Sequence, residues 1–150
     1  MILCLETATP ICSVALADRN GVISSSESSG LKSHASSLTV MIGNILAENS
    51  VKVSDLEAIA VSRGPGSYTG LRIGVSAAKG MAFGAALPLI AIDTTLSMYH
   101  GMADKMNSIP KTGNRIFCPM IDARRMEVYY ALYSSDGSVF RDISAGIITH

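Results

Sequence analysis

Residues 62–85 read S-R-G-P-G-S-Y-T-G-L-R-I-G-V-S-A-A-K-G-M-A-F-G-A, and this stretch decides the fold. The apolar run Leu56–Val61 precedes it and predicts a strand. Arg63-Gly64-Pro65-Gly66 is not expected to continue that strand, because glycine allows positive φ and proline removes a hydrogen-bond donor. Ser67 or Thr69 can then cap a helix that fills the rest of the stretch.

The glycine turn between this strand and helix has the geometry of an anion site, because several backbone N–H groups surround one point. No lysine precedes Ser67 or Thr69, as a phosphate loop of the Gly-Lys-Ser/Thr type requires, and Gly70 lies one residue beyond the G-x-G-x-x-G spacing. A tight turn and a nucleotide phosphate loop therefore both remain open. The candidate phosphate residues are Glu6, Thr7, Thr9, Gly64, Gly66, Ser67 and Thr69.

The predicted helix is unusually rich in small residues. Gly74, Gly80 and Gly84 lie inside it, and each costs roughly 1 kcal/mol relative to alanine. The spacings Gly70-x-x-x-Gly74 and Gly80-x-x-x-Gly84 let another backbone come close. Charges such as Lys79 argue against a membrane helix. Internal packing and a contact with a partner helix both explain the pattern.

The composition limits the classes of function. The chain has 150 residues, of which 48% are hydrophobic, enough for a packed core. Twelve Lys and Arg balance twelve Asp and Glu, so we expect no basic nucleic-acid surface, and any RNA contact would come mostly from a partner. Three cysteines without metal-ligand spacing are typical of reduced thiols. With no leader or membrane span expected, the sequence predicts a cytoplasmic protein.

The order of elements predicts two lobes. The opening runs Ile2–Leu5 and Ser13–Ala17, with Asn20-Gly21 as a hairpin turn, predict an antiparallel meander whose third strand ends near Ser26. Ser24–Ser29 reads as a solvated turn. Further elements are a helix with an apolar stripe (Leu38, Met41, Ile42, Ile45, Leu46), a strand Leu89–Ile92, a helix capped at Asp93–Thr95 and strands at Ile116–Ile121, Glu127–Tyr133 and Val139–Arg141.

This order is typical of the actin-like (ASKHA, ribonuclease H-like) two-lobe α/β architecture. We assign residues 1–106 to a complete N-terminal lobe, 107–114 to a linker rich in turn formers and 115–150 to the start of a C-terminal lobe. No helix follows to cover the second sheet, so we expect a fragment whose C-terminal lobe is truncated.

Two motifs resemble the TsaB (YeaZ) family: Gly64-Pro65-Gly66-Ser67-Tyr68-Thr69-Gly70-Leu71-Arg72-Ile73-Gly74 and Asp122-Ala123-Arg124-Arg125-Met126-Glu127. The opening strand and His34 are also similar, and the resemblance runs over the whole chain. The resemblance implies a required subunit that works with the transferase TsaD and the ATPase TsaE. Together these proteins add a threonylcarbamoyl group to the tRNA adenosine next to the anticodon. The motif residues that we carry over are Arg72, Asp122, Arg124 and Glu127.

The resemblance also implies that this chain does no chemistry. TsaD-like proteins carry a His-x-x-x-His metal pair on one helix face, and the matching positions here are Thr94 and Met98. His100 has no acidic or thiol neighbour at ligand spacing. We therefore expect no metal, no catalytic residue and no cofactor, although ATP or ADP binding within the complex is possible. The alternatives are an actin-like ATPase or kinase and, less favoured, a glycoprotease-type metallopeptidase.

The resemblance further implies that two helices of the first lobe bind the partner. The expected partners are a TsaD-like transferase, a TsaE-like ATPase, tRNA indirectly through the complex, and a second copy of the chain in isolation. For Asp122, Arg124 and Glu127, an active-site cluster and a salt bridge at a strand end both remain open. The expected interface residues are His34, Leu38, Met41, Ile42, Ile45, Ile73, Ala77, Gly80, Met81 and Gly84.

Overall fold

The structure is a computed structural model, and it describes residues 1–29, 34–106 and 115–149. The chain divides into two compact units, Met1–Ile92 and Asp93–His150. The predicted linker, 107–114, lies outside the described residues. The predicted N-terminal lobe includes residues 93–106, whereas the structure groups these residues with the second compact unit.

The first unit is built on a mixed sheet with the strand order β3-β2-β1-β4-β5. β1 pairs antiparallel with β2, β2 pairs antiparallel with β3, and β1 pairs parallel with β4. The predicted opening meander is therefore confirmed. The strands are β1 (Ile2–Glu6), β2 (Ile11–Asp18), β3 (Gly21–Ser29), β4 (Ala58–Gly64) and β5 (Leu89–Asp93).

Two helices cover one face of this sheet. They are α1 (His34–Glu48) and α2 (Tyr68–Gly84), and a short 3₁₀ turn, Val53–Asp55, precedes β4. Alternate residues of the strands point to these helices, since side chains of a strand alternate between the two sheet faces. The core between sheet and helices contains Leu3, Leu5, Val14, Leu16, Leu38, Ile45, Ile59 and Val61.

Strand ends are where the sequence was read wrongly. The solvated turn predicted at Ser24–Ser29 is instead the second half of β3, because pairing with β2 overrides the weak strand propensity of serine. β4 also continues through Arg63 to Gly64, and the last strand extends well beyond the predicted Arg141. Tertiary pairing decides each of these ends.

The second unit packs α3 (Thr94–Met106) against a sheet in which β8 pairs with three other strands. Tyr99 of α3 stacks on Tyr133 of β8 with a centroid distance of 5.0 Å, and Phe117 packs edge-on against Tyr99. The hydroxyl groups of Thr95 and Tyr133 lie 3.0 Å apart in a buried hydrogen bond. The strands are β6 (Ile116–Phe117), β7 (Met120–Arg124), β8 (Glu127–Ser134) and β9 (Val139–Ile147).

Within the described ranges, none of the helices combines the length and the apolar character that crossing a bilayer requires.

Candidate functional site

Two loops meet at the ends of the neighbouring strands β1 and β4. Glu6, the last residue of β1, accepts a hydrogen bond from the N–H of Ala8 at 2.6 Å and another from the hydroxyl of Ser62. The N–H of Ser67 donates to the carbonyl oxygen of Ala8 at 2.7 Å, and the Gly64–Pro65 peptide bond of this turn is cis. These bonds join the loop after β1 to the turn that starts α2.

Glycines let α2 approach this loop closely. A Cβ at Gly66 would overlap Ala8, a Cβ at Gly70 would overlap the carbonyl oxygen of Thr7, and a Cβ at Gly74 would overlap its Oγ1. Thr7 is completely buried, so it cannot move aside. Internal close packing therefore explains these glycines, and the surface they pack on is the chain's own loop.

Three backbone N–H groups at the predicted phosphate loop donate to acceptors of the chain itself. The N–H of Ser67 donates to the carbonyl oxygen of Ala8, and the N–H of Ala8 donates to the Glu6 carboxylate. The N–H of Gly70 donates at 3.3 Å to the hydroxyl of Ser67, which caps α2. The hydroxyl of Thr9 donates to its own turn, at the carbonyl of Ile11. This arrangement is that of a capped strand-to-helix turn. Nucleotide binding by these residues stays a prediction.

Other helix glycines face open space. A Cβ at Gly43 of α1, or at Gly80 or Gly84 of α2, would meet no atom within 4 Å. Phe83, between the last two, is 92% exposed. Nothing in the described chain requires glycine at these three positions, although Gly43 and Gly80, which lie inside their helices, weaken them.

A groove of about 440 Å³ lies between α1 and α2, and we call it the α1–α2 groove. Ile73 and Ala77 contribute its exposed apolar surface, Leu38 lines it but is buried, and Arg72 is the one charged residue of its lining. Gly43 lies one helical turn beyond Thr39, and Gly80 one turn beyond Ala77, so the outward glycines continue its walls. The lining residues are Leu38, Thr39, Thr69, Arg72, Ile73, Ser76 and Ala77.

Burial corrects part of the predicted partner interface. Met41, Ile42 and Ile45 are at most 7% exposed and belong to the core of the first unit, so they offer a partner almost no surface. Their stripe covers the chain's own sheet, which is the usual role of an apolar helix face. Leu38 is buried as well, although it lines the α1–α2 groove.

The remaining predicted interface residues stay candidates. Ile73 and Ala77 line the groove, and Gly80 and Gly84 continue it. Met81 packs partly against the core, as Ile73 and Ala77 also do, but it does not line the groove. His34 begins α1, but its side chain lies outside what the structure describes. Thr39, Ser76 and Gly43 are not among the residues predicted from the sequence, although the positions of Thr39 and Ser76 on the more polar helix sides indicate exposure.

The family motif in the second unit forms the tip of the β7–β8 hairpin. Arg124, Arg125 and Met126 have positive φ values of 67°, 55° and 62°, and the carboxylate of Asp122 accepts the N–H of Arg124 at 2.7 Å. The salt bridge considered for this motif is not found among the described residues, since the carboxylate of Asp122 binds backbone instead. Glu127 pairs with Arg124 in the strand register.

The positions that replace the metal pair lie on α3. Thr94 is buried, and its hydroxyl has no hydrogen-bond partner in the part of the chain that the structure describes. Met98 and His100 are exposed. Across residues 1–29, 34–106 and 115–149, no group of three His, Cys, Asp or Glu side chains is placed to hold a metal ion.

The cysteines show no sign of reactivity. Cys4 pairs in register with Ala15, so it points to the sheet face opposite Cys12, and all three thiols are free. Burial raises the pKa of Cys4, of Cys12 and of Cys118, and the nearby Glu6 carboxylate raises that of Cys12 further. A raised thiol pKa lowers the population of the reactive thiolate.

Comparison with known proteins identifies similar chains. The family model described as TsaD, tRNA N6-adenosine threonylcarbamoyltransferase, matches residues 21–148. The tRNA threonylcarbamoyladenosine biosynthesis protein TsaB of Escherichia coli (strain K12) is 38% identical over 135 residues, covering 90% of this chain and 55% of that protein. The Haemophilus influenzae protein of the same name is 37% identical over 130 residues, covering 87% of this chain and 52% of its own length.

A solved structure agrees with these matches. YeaZ from Pseudomonas aeruginosa is 31% identical, with a TM-score of 0.80 over 96% of this chain and 65% of that one. This match, together with the sheets and helices described above, confirms the predicted actin-like α/β fold class. The chain spans about half the length of the curated relatives named above.

Proposed function

The chain belongs to the TsaB (YeaZ) family, and on that premise we propose that it acts as a non-catalytic subunit in the formation of tRNA threonylcarbamoyladenosine. Its proposed role is to bind a TsaD-like transferase and hold it in its working state, together with a TsaE-like ATPase. The tRNA is then reached through the complex. The names of the relatives support the pathway.

The observation that carries this proposal is the contrast between two sets of glycines in the first unit. Gly70 and Gly74 are required by the chain's own packing, whereas Gly80 and Gly84 face open space next to the α1–α2 groove. Gly80 lies in the interior of α2, where glycine costs the helix roughly 1 kcal/mol relative to alanine. A partner helix that packs closely against this surface explains why the cost is tolerated.

The rest of the surface agrees with a helix as the partner. α1 carries no charged residue between His34 and Glu48, although its outer side is exposed. A solvent-facing helix side normally carries several charges, and their depletion is typical of the core of an interface. In the absence of the transferase, the same surface can pair with a second copy of the chain.

A leucine at Gly80 tests the proposal. We expect Gly80→Leu to prevent co-purification with the TsaD-like protein of the same source, because the side chain fills the space a partner backbone would take. The fold should survive, since nothing lies within 4 Å of the new Cβ. Gly101→Leu is the matched control, because it places the same side chain into open space on α3.

Reconstitution gives the functional measurement. With the TsaD-like and TsaE-like proteins, threonylcarbamoyl-adenylate and tRNA, we expect modification to require the chain and to fail with Gly80→Leu but not with Gly101→Leu. Unchanged binding and unchanged modification by the Gly80 variant would refute the proposed surface. Full modification without the chain would refute the proposed role.

A further inference from the structure

Arg72 stands on the wall of the α1–α2 groove, in the second turn of α2. Its side chain is exposed, and its guanidinium carbon lies 5.4 Å from the ring centroid of Tyr68. Such a cation–π contact restrains the side chain while leaving its N–H donors directed elsewhere. The guanidinium is therefore held at the groove with its hydrogen-bonding capacity available to a ligand.

No carboxylate of the surrounding helices compensates this charge. α2 contains no Asp or Glu, and α1 has only Glu48, at its last residue. Among the described residues, no carboxylate is found within 4.0 Å of the Arg72 guanidinium. The N-terminal end of α2 also has the positive pole of the helix dipole and no acidic residue in its first turn.

We propose that the α1–α2 groove accepts a helix of the TsaD-like partner that places an Asp or Glu carboxylate on Arg72. This inference rests on the proposed function and adds the chemistry by which the partner is selected. The apolar part of the groove takes an apolar side chain of that helix. The carboxylate then forms charge-assisted hydrogen bonds with a guanidinium whose fork geometry matches it.

The groove fits a protein helix better than its rivals. RNA binding draws on several cations that neutralise successive phosphates, whereas the groove offers one charge beside apolar side chains. A second copy of the chain offers the same groove, but its α2 has no carboxylate for Arg72. An acidic partner helix therefore gains an interaction that self-association lacks, and this difference provides selectivity.

Charge reversal tests the inference. We expect Arg72→Glu to raise the dissociation constant for the TsaD-like protein about tenfold or more, which is the size expected for a lost charge-assisted hydrogen bond. Arg19→Glu makes the same charge change in the exposed turn between β2 and β3, outside the groove lining, and should have a much smaller effect. Arg72→Lys should weaken binding less than Arg72→Glu, since the charge remains but the fork is lost. Thermal unfolding of each variant checks that the fold is kept.

Rescue identifies the carboxylate. Against Arg72→Glu, each exposed Asp or Glu on the partner's helices is changed to Arg, and we expect one reversal to restore binding. If Arg72→Glu binds normally while Gly80→Leu does not, the inference is overturned and the proposed function stands. If both variants bind normally, the proposed function also falls. If Arg72→Glu weakens only self-association or only RNA binding by the lone chain, the inference is equally overturned.

Discussion

At the scale of single residues, Thr94 and Thr95 show that buried hydroxyl groups are not equivalent. Both side chains are at most 1% exposed at the start of α3. Thr95 shares a hydrogen bond of 3.0 Å with the hydroxyl of Tyr133, whereas Thr94 has no hydrogen-bond partner among the described residues. An unpaired buried polar group lowers stability, because its hydrogen bonds to water are lost without replacement.

Valine, which has nearly the same shape as threonine, separates the two cases. We expect Thr95→Val to lower the free energy of unfolding by about 1 kcal/mol or more, since it leaves the Tyr133 hydroxyl unpaired. Thr94→Val should leave stability unchanged or raise it, because it removes a hydroxyl that binds nothing within the described chain. Urea unfolding of the two variants measures the difference. Equal losses would show that Thr94 has a partner after all.

At the scale of the secondary-structure element, the glycines of α2 have different roles on its two faces. The side toward Thr7 has no room for a methyl group, whereas the side at Gly80 is open. Backbone contact between the helix and the loop after β1 fixes the position of Arg72 and Ile73 at the groove. The tight junction and the outward surface are thus two sides of the same helix.

Alanine at the two kinds of position should act in opposite directions. We expect Gly80→Ala to stabilise the chain by about 1 kcal/mol, the difference in helix propensity. Gly74→Ala gains the same propensity but forces its Cβ into Thr7, so it should be destabilising by roughly 1–3 kcal/mol overall. Denaturant midpoints with unchanged slopes provide the test. Stabilisation by both variants would mean that the junction can widen.

At the scale of the whole molecule, local signals in the sequence predicted the order of elements but not their faces. The Asn20-Gly21 turn, the cap at Ser67 and the apolar stripe of α1 each act within a few residues, and the structure confirms the elements they predicted. The stripe could not show whether it met a sheet or a partner, and Met41 lies in the core. Likewise, Gly74 and Gly80 look alike in the sequence, and they differ because Gly74 packs against Thr7 whereas Gly80 faces open space. Thr7 and Gly74 are far apart along the chain, so local signals do not predict this contact.

The same limit applied to the phosphate loop, whose glycines alone suggested a nucleotide site. In the folded chain the N–H groups of Ala8, Ser67 and Gly70 are already donated, and the Glu6 carboxylate adds negative charge beside them. We therefore expect the chain alone to give no binding heat with ATP or ADP, with or without magnesium. The TsaE-like ATPase serves as the positive control in the same titration. Micromolar binding with hydrolysis by the chain would instead favour an actin-like ATPase. Phosphates bound at this loop would then have to displace the hydrogen bonds that join the loop after β1 to the turn before α2.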